Sequence, residues 1–513
     1  MRIERHLEES ARRFPDKTAL VAGGVRTSYA ALEDEAARLA ASLVAGGVSR
    51  GDRVVVFADN CREAVVALYA AAKAGACFSV INASTKSDKL ALILADCEPT
   101  ALVTQRKLAA TARAALEGAP SVACVIVADG GAAEIPGALA YEAASAAERA
   151  PLPSPGIVLD LAMLVYTSGS TGRPKGVMMT HQTVHAAASS ITTYLENTPD
   201  DVILCALPIS FDYGLYQVLM SVMVGATLVL EKGFAFPQAV LNRVREEKVT
   251  GFPLVPTMAA LLLAMRDLEP GSLPGLRYVS NTAAALPPAH IERLQALLPT
   301  TRIYSMYGLT ECKRCTWLPP EELTRRPGSV GVAIPGTEAF VVDDAGRPVA
   351  PGEVGELVIR GPHVMKGYWR NEEATNAALR PGPFPWEKVL YTGDLFRTDA
   401  DGFLYFVARK DDIIKTRGEK VAPKEVESVL YMLDGVREAT VIGVPHPVLG
   451  QALKALVALE PGVALDARAV VRHCARHLED FMVPSEVTFV AELPKTTTGK
   501  ISRREAATLI AAE

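Results

Sequence analysis

The sequence predicts an α/β protein: a large N-terminal portion of two helix-covered sheets plus a small β-barrel, followed by a small α+β C-terminal domain. Three observations carry that expectation. Apolar strands alternate with helical patterns over most of the chain, the texture changes after Gly331, and it changes again near residue 412. In the first series DRVVVFADN reads as a short buried strand and CREAVVALYAAAKAG as an Ala-rich amphipathic helix ending at Gly75. ACFSVIN is the next strand, and ALVTQ and ACVIVAD repeat the rhythm after further helices. A second series runs DVILCALP, GATLVLEKG, VTGFPLVP, LRYVSNTA and TRIYSMYG, with helical segments between them. After Gly331, the run VAIPGTEAFVVDDAGRPVAPGEVGELVIRG alternates strands with Gly/Pro/Asp turns, as a small antiparallel barrel does. The Pro/Ala-rich passage 147–156 reads as a linker within the large portion.

Composition bounds the function. A chain of 513 residues has room for roughly three domains. With 49% hydrophobic and 22% charged residues it buries a core, which excludes wholesale disorder. Its 53 basic and 58 acidic residues leave a net charge of −5 with no blocks of like charge, which argues against dedicated nucleic-acid binding. The uncharged stretch Tyr213 to Leu230 is long enough to suggest a membrane span. Its Gln217 and Gly225 argue instead for a buried helix running into a strand. The start MRIERHLEESARRF lacks the apolar core of a signal peptide, and the expected location is cytoplasmic. Eight cysteines are too sparse for a disulfide scaffold. Cys312 and Cys315 form a CxxC pair with no second pair nearby, so packing beside a functional loop is the expectation rather than a metal site.

The richest chemistry lies in YTSGSTGRPKGVMMTH, residues 166–181, between the apolar strand LAMLV and a resuming helix pattern. Positions Thr167 to Gly176 hold three glycines, four hydroxyl residues, Arg173 and Lys175. Glycines let backbone N–H groups turn toward a ligand, hydroxyls donate hydrogen bonds, and cations balance phosphate charge. A flexible surface turn would explain the glycines but not the preceding strand or Lys175. It is not the ATPase P-loop, because Pro174 precedes the lysine and Gly176 follows it.

This segment resembles the signature of the AMP-forming, adenylate-forming enzymes: acyl-CoA synthetases, peptide-synthetase adenylation domains and luciferases. Four further motifs of that family follow in order. They are YGLTE at 307–311, YTGD at 391–394, ARKDDIIKTRGEKVAPKEVE at 408–427 and PKTTTGKISRRE at 494–505. The resemblance spans nearly the whole chain; a departure is Ala408, where many relatives have glycine. It implies domains at 1–410, with the barrel-like part at about 331–410, and a small mobile domain at 411–513.

The resemblance also implies roles. The loop residues Thr167, Ser168, Gly169, Ser170, Thr171, Gly172 and Lys175 would hold the β- and γ-phosphates of ATP. Glu311 would ligate Mg²⁺, Thr310 would hydrogen-bond the adenylate phosphate, and Tyr307 would face adenine. Asp394, supported by Arg409, would accept from the ribose hydroxyls. Lys500 would neutralise charge developing between the carboxylate and the α-phosphate. Asp411 would be the hinge about which the C-terminal domain swaps Lys500 for the loop of Gly418, Glu419 and Lys420. For each residue taken alone, a solvated surface position or a helix cap is the plainer explanation; the ordered set reverses it.

The acyl pocket leaves alternatives. In LPISFDYGLYQ, 207–217, Phe211 fits the aromatic that the family places beside the substrate carboxylate. Asp212 either pairs with a substrate ammonium, as in amino-acid-activating relatives, or is neutralised internally by Arg314. Tyr213, Tyr216 and Met306 would set the shape for a small to medium acyl group. The thiol acceptor is CoA or the phosphopantetheine of a separate acyl carrier protein. Expected is an AMP-forming acyl-CoA synthetase, with an adenylation enzyme that loads a carrier protein as the alternative. A nucleotide sensor without ligase chemistry would have no use for Lys500 or Glu311.

Overall fold

The computed structural model describes residues 1–150, 152, 156–168, 174–265, 267–282, 286–416, 419–446, 449–496 and 501–511. The chain divides into two compact units: 1–327 with 331–339 and 359–390, and 328–330 with 340–358 and 391–513.

The first unit holds helix-covered sheets, as expected. One has seven strands in the order Leu139–Ala140, Cys124–Ala128, Ala101–Gln105, Arg53–Ala58, Cys77–Asn82, Leu161–Ser168 and Pro174–Thr180. Its pairs are parallel until the last, which is antiparallel. Val54, Val55 and Val56 are buried on both faces, the pattern of a strand covered by helices on each side. Helix Arg62–Lys73 buries Ala64 to Lys73 continuously, and its alanines give the helix a small-residue contact surface. Cys61 caps its start by accepting from the Ala64 N–H.

A second set of parallel strands runs Arg302–Tyr307, Tyr278–Asn281, Gly251–Leu254, Val202–Cys205, Thr227–Leu230 and Thr18–Ala22. The candidate pocket residues lie at the C-terminal ends of Val202–Cys205 and Arg302–Tyr307: Met306 on the second strand, Phe211 and Arg314 in the loops that follow, and Asp212, Tyr213 and Tyr216 on the helix Asp212–Val224. The uncharged stretch is the buried helix Asp212–Val224 running into Thr227–Leu230, with Gly225 closing the helix at φ +82°. Among the described residues no helix is long and apolar enough to cross a membrane.

In the second unit, strands Glu338–Val342, Gly355–Arg360, Lys388–Thr398 and Leu404–Arg409 are neighbours in that order, where a small barrel was expected. Beyond them is a five-stranded sheet: Glu419–Val421, Ile414–Thr416, Gly450–Leu459 and Val436–His446, with Glu486–Phe489 against Gly450–Leu459. Helices Pro423–Leu430 and Ala467–His477 close its core over Val426, Leu430, Val441, Leu453, Val457 and Val470.

Candidate active site

The hydroxyl- and glycine-rich loop is the tip of a hairpin. Strands Leu161–Ser168 and Pro174–Thr180 pair so that Thr167 lies opposite Lys175. Half of the motif is thus strand, and the helix begins only at His181. Gly169, Ser170, Thr171 and Gly172 lie outside the described residues, as does the side chain of Ser168. Gly176 is closely packed: a Cβ there would stand 3.2 Å from the Tyr166 ring and 3.3 Å from Trp369 Cβ, tighter than ordinary van der Waals contact. That closeness lets 366–369 run beside the hairpin. Trp369 N–H donates to the Gly176 carbonyl at 2.7 Å, and Met178 N–H to that of Gly367 at 2.9 Å.

This neighbour delivers Tyr368, a residue that sequence reasoning missed. Lys175 Nζ sits 5.4 Å from the centroid of its ring, and its hydroxyl donates to Glu311 Oε1 at 2.7 Å. One tyrosine therefore touches both the lysine of the phosphate loop and the carboxylate expected to meet magnesium. The available signal was an aromatic pair after Gly367, whose φ of +128° marks a turn.

Glu311 belongs to a tight loop after strand Arg302–Tyr307. Cys315 N–H donates back to the Tyr307 carbonyl at 2.9 Å, and Cys312 and Lys313 N–H groups to that of Leu309 at 3.1 and 2.7 Å. Gly308 makes the loop possible, because a Cβ there would lie 1.9 Å from the Lys313 carbonyl oxygen. Tyr307, Thr310 and Glu311 are half-buried. Among the described residues Glu311 accepts only the neutral Tyr368 hydroxyl and makes no ion pair, so a carboxylate oxygen remains for a hard cation. Magnesium needs only one or two carboxylates when phosphates supply the rest. Cys312 and Cys315 are buried with their sulfurs 3.0 Å apart, and burial pushes the Cys312 thiol up. Among the described residues no group of three His, Cys, Asp or Glu side chains could hold a metal.

The pocket residues converge one step further along this loop. Phe211 is the cap residue of helix Asp212–Val224, and Asp212 occupies its first turn, where the helix dipole favours an anion. Arg314 Nη1 lies 3.7 Å from Asp212 Oδ2, so the internal neutralisation considered for Asp212 has its contact. The same guanidinium stacks over Tyr213 at 4.5 Å, whose hydroxyl donates to the Ser280 carbonyl at 2.7 Å. Met306 Sδ accepts from Tyr194 at 2.8 Å. Lys313, also missed, is 1% exposed and turned in by a left-handed backbone at φ +66°. Its Nζ stands 5.7 Å from the Tyr216 ring, and burial, outweighing Asp212 and Glu311, pushes the amine down to about 8.

In the second unit Asp394 and Arg409 are register partners on adjacent strands, with Nε 3.1 Å from Oδ1. Asp394 is buried, and the preceding Gly393 turns at φ +70° so that its N–H reaches Glu356 Oε1 at 3.1 Å. Glu356 also takes Lys410 Nζ at 3.0 Å, which raises that amine. Asp411 lies in the single turn Lys410–Asp412, and its side chain is outside the described set. Next to it, Asp412 binds Arg503 at 2.7 Å, and Arg503 also grips Glu427 at 2.6 Å. Glu419 is exposed at the start of its strand; Gly418, Lys500 and the Lys420 side chain lie outside the described residues.

Comparison with known proteins gives the same picture over the whole length. The sequence profile of the AMP-binding enzyme family matches residues 7–369, and that of the AMP-binding enzyme C-terminal domain matches 425–500. The chain is 32% identical to a long-chain-fatty-acid–CoA ligase of Bacillus subtilis, over 97% of this chain and 92% of that protein. It is 34% identical to a feruloyl-CoA synthase of an Amycolatopsis species, over 96% of each. The crystal structure of ATP-bound MatB from Rhodopseudomonas palustris superposes with a TM-score of 0.89 at 30% identity, covering 99% of both chains.

Proposed function

The chain belongs to the AMP-binding enzyme family, and from that premise we propose which of its residues perform each step. It is an AMP-forming acid–thiol ligase: ATP converts a carboxylic acid to an acyl-adenylate with release of pyrophosphate, and the acyl group passes to the thiol of CoA. A carboxylate is a poor electrophile, so the first step exchanges its oxygen charge for an AMP leaving group. The acid oxygen attacks the α-phosphorus and pyrophosphate departs. The thiolate then attacks the acyl carbon and expels AMP.

In the first step, Lys175 and the loop from Thr167 to Gly172 hold the β- and γ-phosphates. Glu311 would hold Mg²⁺, which supplies charge neutralisation at the departing phosphates. Thr310 donates to the adenylate phosphate, Tyr307 faces adenine, and Asp394 with Arg409 engages the ribose. Lys500 neutralises the charge that builds between carboxylate and α-phosphate. For the second step the segment beyond Asp411 swings, and Gly418, Glu419 and Lys420 replace Lys500. The observation that supports this reading most directly is Tyr368, which touches both Lys175 and Glu311. The contact of Arg314 with Asp212 favours an acid without an ammonium group.

Lys500→Ala tests the reading. Pyrophosphate release with a panel of fatty, aryl, dicarboxylic and amino acids should fall by about a thousandfold or more, since a preorganised charge on the transition state is removed. Conversion of supplied acyl-adenylate to CoA thioester should persist. An unaltered first half-reaction removes Lys500 from the site.

A further inference from the structure

On the acyl side of the first unit two buried cations, Lys313 and Arg314, have Asp212 and the half-buried Glu311 as their carboxylate neighbours. Lys313 and Arg314 are 1% and 3% exposed, yet among the described residues Lys313 Nζ and Arg314 Nε have no hydrogen-bond partner. Asp212 lies 3.7 Å from Arg314, Lys313 makes no ion pair among the described residues, and Glu311 is turned to the Tyr368 hydroxyl. The hydroxyl of Tyr216, whose ring Lys313 faces, is likewise buried without a hydrogen-bond partner among the described residues. Unmatched buried cations are expensive, and native structures keep them where a ligand completes them. The backbone singles out the same place: Lys313 holds φ +66°, and Gly308 admits its carbonyl where any Cβ would collide.

We propose that the acid activated by this enzyme carries a second anionic group, a carboxylate or a sulfonate, and that Lys313 and Arg314 bind it beside Asp212. The inference rests on the reading of 211–216 as the acyl pocket. An amino-acid substrate would add a third cation beside Lys313 and Arg314. A plain hydrocarbon acyl group would leave Lys313 Nζ, Arg314 Nε and the Tyr216 hydroxyl unmet. A planar carboxylate or a sulfonate satisfies all three, because a guanidinium edge and an ammonium both donate to anionic oxygens.

Matched acids differing only in the distal group separate the possibilities: butanoate against succinate, pentanoate against glutarate, propanoate against 3-sulfopropanoate. Each is assayed for pyrophosphate release. Each is also titrated calorimetrically in the presence of a non-hydrolysable ATP analogue, so binding is read even without turnover. The wild type should favour the dianionic member by about 100-fold, the scale of a buried charge pair. In Lys313→Met and in Arg314→Gln that ratio should fall toward one, chiefly through KM, while Lys313→Arg should retain most of it. Thermal melts verify that the variants fold. Equal or weaker binding of the dianionic acids by the wild type overturns the proposal, as does a preference that survives both neutral variants. Pyrophosphate release with monoanionic acids alone would leave the ligase reading standing and remove this one; dianion binding without any pyrophosphate release would do the reverse.

Discussion

Beneath the N-terminal helix Ile3–Arg13, buried charges meet opposite charges: Glu4 lies 2.6 Å from Arg2, and Lys73 lies 2.7 Å from Glu33 and 3.1 Å from Glu8. His181 Nδ1 accepts the Ile3 N–H at 3.2 Å, and His6 and His185 share a hydrogen bond of 3.0 Å. At 313–314 the cations are as deeply buried, but among the described residues Lys313 Nζ and Arg314 Nε have no hydrogen-bond acceptor. The first cluster fastens a helix to the sheets behind it by ion pairs between opposite charges, although both Glu4 oxygens and Glu33 Oε2 find no hydrogen-bond partner among the described residues. The second is complete only with something bound. Burial of charge alone therefore does not mark a functional site; buried cations left without acceptors do.

The largest effect that sharpens this contrast is one of pH. Burial, the chief cause at both residues, pushes His6 down to about 3 and His181 down to about 4. Both folded values lie below the unfolded value near 6.5, so the unfolded chain binds more protons in between. The stability they supply is complete above about pH 6.5 and is lost as pH falls through that window. At pH 5 each costs about 2 kcal/mol, and together up to about 4 kcal/mol. Protonated His181 can no longer accept from Ile3, and protonated His6 and His185 repel. Urea unfolding at pH 7.5 and pH 5.0 measures the loss, and His6→Gln with His181→Gln should flatten it. An equal pH loss in the double variant would place the acid-sensitive groups elsewhere.

Next in size is a pair of lysine substitutions with opposite expected signs. Lys73→Met takes from Glu33, itself pushed up by burial, its ion-pair partner, and should destabilise the protein by about 3 kcal/mol. Ligase activity of the remaining folded protein should be unchanged. Lys313→Met removes a buried ammonium that has no hydrogen-bond partner among the described residues, so the ligand-free protein should be as stable or more so. Denaturation midpoints of the two variants decide the matter. Destabilisation by both to the same extent would erase the distinction between an ion-paired cluster and a ligand-completed one.

The sequence displayed the fold where side chains repeat a simple pattern. Val54, Val55 and Val56 or the alanines of Arg62–Lys73 can hardly be anything but buried strand and buried helix. Pro174–Thr180 escaped as a strand because PKGVMMT begins with proline, lysine and glycine, and its pairing is supplied by Leu161–Ser168 rather than by its own composition. Arg314 was visible because it follows Glu311 by three residues, and its contact with Asp212 was one of two alternatives. Lys313 was not visible: a lysine between two cysteines is ordinarily solvent-facing, and only its left-handed backbone turns it inward. Tyr368 was hidden by distance along the chain, since the contact with Glu311 spans 57 positions.

That tyrosine supplies the smallest effect and the finest test. Tyr368→Phe keeps the ring beneath Lys175 and removes only the hydroxyl that donates to Glu311. If the cluster at 307–314 is held together for its own stability, losing a partly buried hydrogen bond should lower the unfolding free energy by about 1 kcal/mol. If it is instead completed by ligand, the carboxylate freed from its donor can still be solvated, and the melting temperature should scarcely move. The loss then shows in catalysis: Glu311 is no longer aimed, and kcat/KM for ATP should fall about fivefold, with a steeper dependence on magnesium concentration. Tyr368→Leu adds the loss of the aromatic face to Lys175 and should raise the KM for ATP further. Magnesium titrations of pyrophosphate release, run beside melts of the same samples, separate the two outcomes. A shifted melt with an unshifted magnesium curve would make Tyr368 a packing residue in a cluster held together for its own stability.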